Sequence, residues 1–135
     1  AGALGRQLLT RVEDLMHTSS ENLPLVNQQA ALNEALFTMT NGRLGMTVVV
    51  DDEDRVAGVF TDGDLRRVLE KGIDLATPMR EIMTTNPRHV SKTMRASDAL
   101  SVMNENAISQ LLVMDKQGHL DAIITVHDLL QAGVK

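Results

Sequence analysis

The chain contains no cysteine, tryptophan or tyrosine, and only two phenylalanines, Phe37 and Phe60, among its 135 residues. Without thiols there is no disulfide framework, no thiolate metal site and no cysteine nucleophile. With so few rings, the core has to be built from Leu, Val, Ile, Met and Ala, and a bound base would meet aliphatic walls instead of stacked aromatics. No apolar run approaches the ~18 residues of a membrane span. The opening residues Ala1 to Gln7 show no charged region followed by an apolar one and no initiator Met, so no secretory signal is expected and the sequence reads as an excised fragment. Basic residues are outnumbered, 13 Lys and Arg against 18 Asp and Glu, giving a net charge of -5. That balance disfavours nucleic acid and anionic membrane as partners, because both require clustered cations.

What is present is a repeat. At an offset of 64 residues, Val26, Ala35, Leu36, Met39, Val49, Asp51, Thr61, Asp64 and Leu65 fall on Val90, Ala99, Leu100, Met103, Val113, Asp115, Thr125, Asp128 and Leu129. Near the start of each copy the offset is 67, aligning Leu15 and Met16 with Ile82 and Met83, so the first copy carries three extra residues between Ser19 and Leu25.

Each copy shows the same order of local signals. Leu32, Ala35, Leu36 and Met39 lie at helical spacing and predict a helix over 31–41, stopped by Asn41 and Gly42. Strands follow over 46–51 and 55–61, rich in β-branched residues and joined by the acidic turn Asp52, Glu53, Asp54; a second helix runs from Asp62 to about Lys71. The second copy predicts a helix over 96–106, strands over 110–115 and 120–125, and a last helix from Val126. Short extended stretches stand at Leu25–Val26 and His89–Val90. The unit is therefore β-α-β-β-α. The domain expectation is a remnant of a preceding linker over 1–11, one motif over 12–71, a linker over 72–78 carrying Gly and Pro, and a second motif over 79–135. Each copy alone is about 60 residues, a size at which burial only marginally offsets chain entropy, so the copies are expected to pack together.

The chemistry-bearing motif lies where the last strand of each copy meets its helix: Gly58 to Asp64 and Ala122 to Asp128, sharing small-apolar-apolar-Thr-x-x-Asp. A Thr at the N-cap accepts from a helix amide, and an acid three residues on completes a capping box and complements the helix dipole. The same atoms suit a ligand, since a hydroxyl beside helix-start amides can cradle phosphate and the carboxylate can accept two bonds from a ribose diol.

The repeat, the Met16-His17 and Met83-Thr84 openings, the strands ending in Asp51 and Asp115, and the Thr-x-x-Asp junctions resemble a tandem pair of CBS motifs, over Val12 to Leu130. The resemblance implies an α+β fold in which two β-α-β-β-α repeats pack sheet to sheet around a pseudo-two-fold axis, with two sites in the cleft for adenosine compounds such as AMP, ATP or S-adenosylmethionine. It assigns Thr61 and Thr125 to phosphate and Asp64 and Asp128 to ribose hydroxyls. Gly45, Met46, Thr47, Ser109 and Gln110 would line the base slot, and Thr18 and Thr84 would offer backbone contacts to the base. His127, between Thr125 and Asp128, could reach a phosphate. The second copy has Ala122 where the first has Gly58, which would narrow backbone approach to a ligand, so the Asp64 site is favoured.

A narrower resemblance, carried by Leu44 to Val48, Thr61 to Arg67 and His127 to Gly133, is to the C-terminal half of bacterial D-arabinose 5-phosphate isomerases. It implies a cytoplasmic aldose-ketose isomerase of Kdo and lipopolysaccharide synthesis, with a sugar isomerase domain preceding this region in the same chain and a homo-oligomeric assembly. It adds CMP-Kdo as a candidate ligand. No cofactor is required by this reading, and the fragment itself is expected to be regulatory and not an enzyme, because no nucleophile, metal cluster or oriented base is visible.

Other features have plainer readings. His17, His89, His119 and His127 show no metal-ligand spacing. Asp62 and Asp64 complement a helix dipole. Arg66 and Arg67 suggest a solvated face, with Arg66 and Glu70 paired at i, i+4. The eight methionines are core filler. Against the sensing reading stands a structural one, in which the motif pair only oligomerises the attached domain through exposed helices ending near residues 71 and 134.

Overall fold

The computed structural model describes residues 9–16, 23–42 and 44–135. Two compact units emerge, one from residues 23–87 and the other from 88–135 joined by 9–16.

In the first unit the strand β1 (Leu25–Asn27) leads through helix α1 (Leu32–Gly42) to β2 (Met46–Val50), followed by β3 (Val56–Thr61), helix α2 (Asp62–Glu70) and a two-residue strand β4 (Thr84–Thr85). The sheet order is β1-β2-β3-β4, with β1 and β2 parallel and the other pairs antiparallel. A parallel pair needs a crossover, and α1 supplies it. It buries Leu32, Ala35 and Met39, residues spaced to fall on one helical face. All five residues of β2 are buried, Thr47 among them, consistent with the apolar run Val48 to Val50.

The second unit repeats the pattern with β5 (His89–Val90), α3 (Ala96–Glu105), β6 (Gln110–Met114), β7 (Leu120–Thr125) and α4 (Val126–Gln131), in sheet order β5-β6-β7. The copies agree in detail. Met46 pairs with Thr61 and Gln110 with Thr125, and each hairpin slips register at the same place, after Val49 and after Val113. Asp51 Oδ1 accepts from the amides of Glu53 and Arg55, and Asp115 Oδ1 from those of Gln117 and His119, so the acid that ends each strand closes its turn. The left-handed turn position is Asp54 (φ 62°) in one copy and Gly118 (φ 93°) in the other.

The units do not follow the repeat boundaries, because each copy's opening segment packs on the other copy. Val12 stands where Met79 stands at the 67-residue offset, and both are fully buried. Val12 joins the core of Val90, Leu100, Met103, Ile124 and Leu129, whereas Met79 joins that of Val26, Leu32, Val49 and Phe60. Matching backbone bonds hold them: the amide of Val12 to Met94 O and of Met79 to Ala30 O, the amide of Glu13 to Lys92 O and of Arg80 to Gln28 O. Helix starts are served in the same way. Leu32 N donates to Thr77 O at 2.9 Å and Ala96 N to Thr10 O at 2.8 Å, giving otherwise orphaned first-turn amides a partner. Residues 72–78, read from sequence as a linker, are thus docked on the first unit, with Asn33 N also donating to Leu75 O and Ile73 packed on its core.

Candidate functional site

Thr61 ends β3 in extended conformation and caps α2. Its hydroxyl accepts from Asp64 N, and Asp64 Oδ2 accepts from Thr61 N at 3.0 Å and from the Thr61 hydroxyl at 3.1 Å. The opposite oxygen, Oδ1, accepts from Thr84 Oγ at 3.0 Å and is ion-paired to Arg67 Nη2. Asp64 is only 7% exposed. Burial by itself raises its pKa, but hydrogen bonds from the Thr61 amide, Arg67, Thr84 and the Thr61 hydroxyl together outweigh that and hold it below the ordinary 3.8. The site is therefore an ionised carboxylate.

Beside it lies a cavity of about 320 Å³. Arg67 of α2 and Lys71, which caps its C-terminus, bring cations to it, Thr84 a hydroxyl, Asp64 and Glu81 carboxylates, and Val68, Ile73, Ile82 and Met83 aliphatic walls. Those walls are what an aromatic-poor sequence offers an apolar ring.

The second junction keeps the cap. Thr125 Oγ accepts from Asp128 N at 3.1 Å, and Asp128 Oδ2 from Thr125 N at 2.9 Å. Its surroundings differ, with His127 at the place of Gly63 and Gln131 at that of Arg67. His127 is exposed.

The remaining candidates separate. Gly45 (φ +70°) accepts from Asp62 N through its carbonyl, as Ser109 does from Val126 N, so this pair pins each helix start to the preceding strand. Gly45 lines a different cavity, of about 330 Å³, with Asp62, Leu36, Met39, Thr40 and Leu65. A Cβ on Gly45 would lie 2.9 Å from Asp62 Oδ2. Met46 is buried and Gln110 half-buried, both at the strand position opposite the capping Thr. Thr47 is fully buried and donates its hydroxyl to Pro24 O at 2.8 Å, so that hydroxyl serves the fold. Thr18 and His17 lie outside the described residues. Among the described residues, no three His, Asp or Glu gather as a metal site, and no helix is long and apolar enough to cross a membrane.

Two findings go beyond the sequence reading. Gly58 is required by the protein's own packing: a Cβ there would sit 2.6 Å from Thr84 O and 2.9 Å from Met83 Sδ, so its absence lets β4 close on β3. Arg67, read as part of a solvated face, instead pairs with Asp64, one position on from the expected Arg66–Glu70 pair. The i, i+3 spacing of Asp64 and Arg67 carried that signal.

Twin β-α-β-β-α units with capped Thr-x-x-Asp junctions define a CBS-type protein, and the chain belongs to the CBS domain family, whose model matches residues 12–71 and 79–135. In sequence it is similar to the arabinose 5-phosphate isomerase KdsD of Pseudomonas aeruginosa, with 46% identity over 134 residues, 98% of this chain and 41% of that protein. The chain thus spans about two fifths of the length of the curated relatives it matches. In structure it resembles an uncharacterised conserved protein from Pyrococcus horikoshii (TM-score 0.79, 28% identity, 95% of each chain covered). It also resembles CBSX2 in complex with AMP (TM-score 0.77, 25% identity, 92% of this chain and 96% of that one).

Proposed function

We propose that the chain is the ligand-sensing CBS portion of an arabinose 5-phosphate isomerase. On this reading it binds a nucleotide of the adenosine type, or the nucleotide-sugar CMP-Kdo, and biases the attached isomerase. The observation that carries the reading is the buried, ionised Asp64 facing a cavity that also holds Arg67, Lys71 and Thr84. Asp64 accepts from the ribose diol, the Thr61 end of α2 meets phosphate, and the aliphatic wall takes the base. The identity with KdsD enzymes and the AMP complex of CBSX2 support this assignment. Regulation is by population shift, in which the ligand favours whichever conformation holds it more tightly.

A thermal-shift series with AMP, ATP, S-adenosylmethionine, CMP, CMP-Kdo and arabinose 5-phosphate tests it. A ligand at a hundred times its Kd adds about 2.7 kcal/mol, a rise in Tm of more than about 5 °C. The expected result is a response to one nucleotide class that Asp64→Asn removes; no response to any of the six contradicts the reading.

Leu69 of α2 and Leu130 of α4, 59% and 58% exposed, favour a second reading, in which these helices hold copies of the chain together and no ligand is sensed. Under it, Leu69→Glu and Leu130→Glu lower the sedimentation coefficient, whereas Asp64→Asn changes nothing.

A further inference from the structure

We propose that Arg67 is a built-in counter-cation that restricts the Asp64 site to ligands presenting an anionic group beside their vicinal diol, so that binding is an exchange of partners and not an addition. The proposal rests on reading Asp64 as the diol acceptor.

An ionised carboxylate offers about four acceptor positions. At Asp64 the protein fills them all: Thr61 N and Thr61 Oγ on Oδ2, Arg67 Nη2 and Thr84 Oγ on Oδ1. A diol that binds must therefore displace donors. The Thr61 amide cannot leave without opening the start of α2. The two donors on Oδ1 can, because Thr84 needs only to rotate its hydroxyl and the Arg67 side chain is 64% exposed. Their departure has unequal consequences. Losing Thr84 costs one hydrogen bond from an uncharged donor, whereas losing Arg67 strips a nearly buried carboxylate of its counter-ion.

A ligand with its own anion restores the balance by taking the released guanidinium. The geometry suits a short swing. A Cβ built on Gly63 would lie 3.8 Å from Arg67 Nη1, Arg67 Nη2 and Thr61 Oγ alike, so the guanidinium already rests over the glycine beside the capping hydroxyl. Lys71, at the C-terminal end of α2, lines the same cavity, and Glu81 on the facing segment directs an anion towards α2. A neutral nucleoside breaks the ion pair and returns nothing. This arginine belongs to the first copy, since Gly63 and Arg67 correspond to His127 and Gln131 in the second.

Calorimetric titration of the 135-residue chain with AMP, CMP, adenosine and cytidine tests the proposal on wild type, Arg67→Gln, Arg67→Lys and Asp64→Asn, counting only the binding that Asp64→Asn removes. The expected result is that Arg67→Gln lowers the nucleotide-to-nucleoside affinity ratio by about tenfold, as loss of one charge-assisted bond would, and that Arg67→Lys recovers most of it. An unchanged ratio in Arg67→Gln overturns the role of Arg67 and leaves Asp64 as the diol acceptor. If neither nucleotides nor nucleosides bind, or if their binding survives Asp64→Asn undiminished, the diol reading fails and takes the Arg67 proposal with it.

Discussion

The helix starts at Thr61 and Thr125 are built alike and surrounded differently. Both are reciprocal capping boxes in which the Thr hydroxyl accepts from the Asp amide and the Asp carboxylate from the Thr amide. The first adds Arg67 and the Thr84 hydroxyl to its carboxylate, and its guanidinium lies over Gly63 at the helix start, where the second copy has Gln131 and His127 in sequence. The difference teaches that the shared motif secures the helix, whereas residues three or more positions from it, and a strand twenty residues downstream, set the electrostatic character of the site.

The largest expected effects test the crossed packing of the opening segments. Met79→Ala empties a fully buried position in the first unit and is expected to cost about 2–5 kcal/mol. Val12→Ala, at the equivalent place, is expected to cost slightly less, about 1–3 kcal/mol. Hydrogen exchange separates them: Met79→Ala loosens amides of 23–87, whereas Val12→Ala loosens those of 88–135, far away in sequence. Loosening of 23–42 by Val12→Ala would break the crossed arrangement.

Next comes Gly58, which stands where the second copy has Ala122. Gly58→Ala drives a methyl against Thr84 O and is expected to cost about 1–3 kcal/mol, measured by denaturant unfolding. The reverse exchange, Ala122→Gly, is expected to cost only about 0.5–1 kcal/mol, mostly through strand entropy. Equal costs would show that the close approach of the Thr84 carbonyl is not what makes Gly58 costly to replace.

Removing the caps sharpens what the copies share. Thr61→Ala and Thr125→Ala are each expected to lower stability by about 1 kcal/mol, but the two should diverge in ligand response, with Thr61→Ala losing more of the Tm rise given by AMP.

The smallest effect is a pH dependence. The folded-state pKa of Asp64 lies below 3.8, so the folded chain binds that proton less readily than the unfolded one. Its stabilisation is complete above about pH 4 and is lost as pH falls through the folded value. Asp64→Asn should therefore flatten the acid limb of a Tm-against-pH curve and leave its slope above about pH 5 unchanged.

Much of this was legible in the sequence. Over residues 23–135 the helical spacing of Leu32, Ala35 and Met39, the β-branched runs and the acidic or glycine turns located every long element among the described residues to within a residue or two at its ends. The Thr-x-x-Asp spacing specified both capping boxes. What escaped had no local period to betray it. A two-residue strand such as Thr84–Thr85 carries no alternation, and the reason for Gly58 is a carbonyl 26 residues away. The docking of Val12 and Met79 on the opposite copy is a choice between two equally apolar partners, which composition cannot make. Thr47 reads as a polar residue near the site, yet its hydroxyl goes to Pro24, a partner visible only in space. Arg67 was hidden by an equally plausible pair at the next position, Arg66 with Glu70.

The central claim is that the first junction is a nucleotide site whose carboxylate trades protein partners for ligand ones. Amide and arginine side-chain NMR spectra of the chain during titration with AMP and with CMP test it most directly. The expected result is that the Thr61, Asp64 and Thr84 amides and the Arg67 Nε–H resonance move together on one binding curve. Movement confined to Thr125 and Asp128, or none at all, would contradict it.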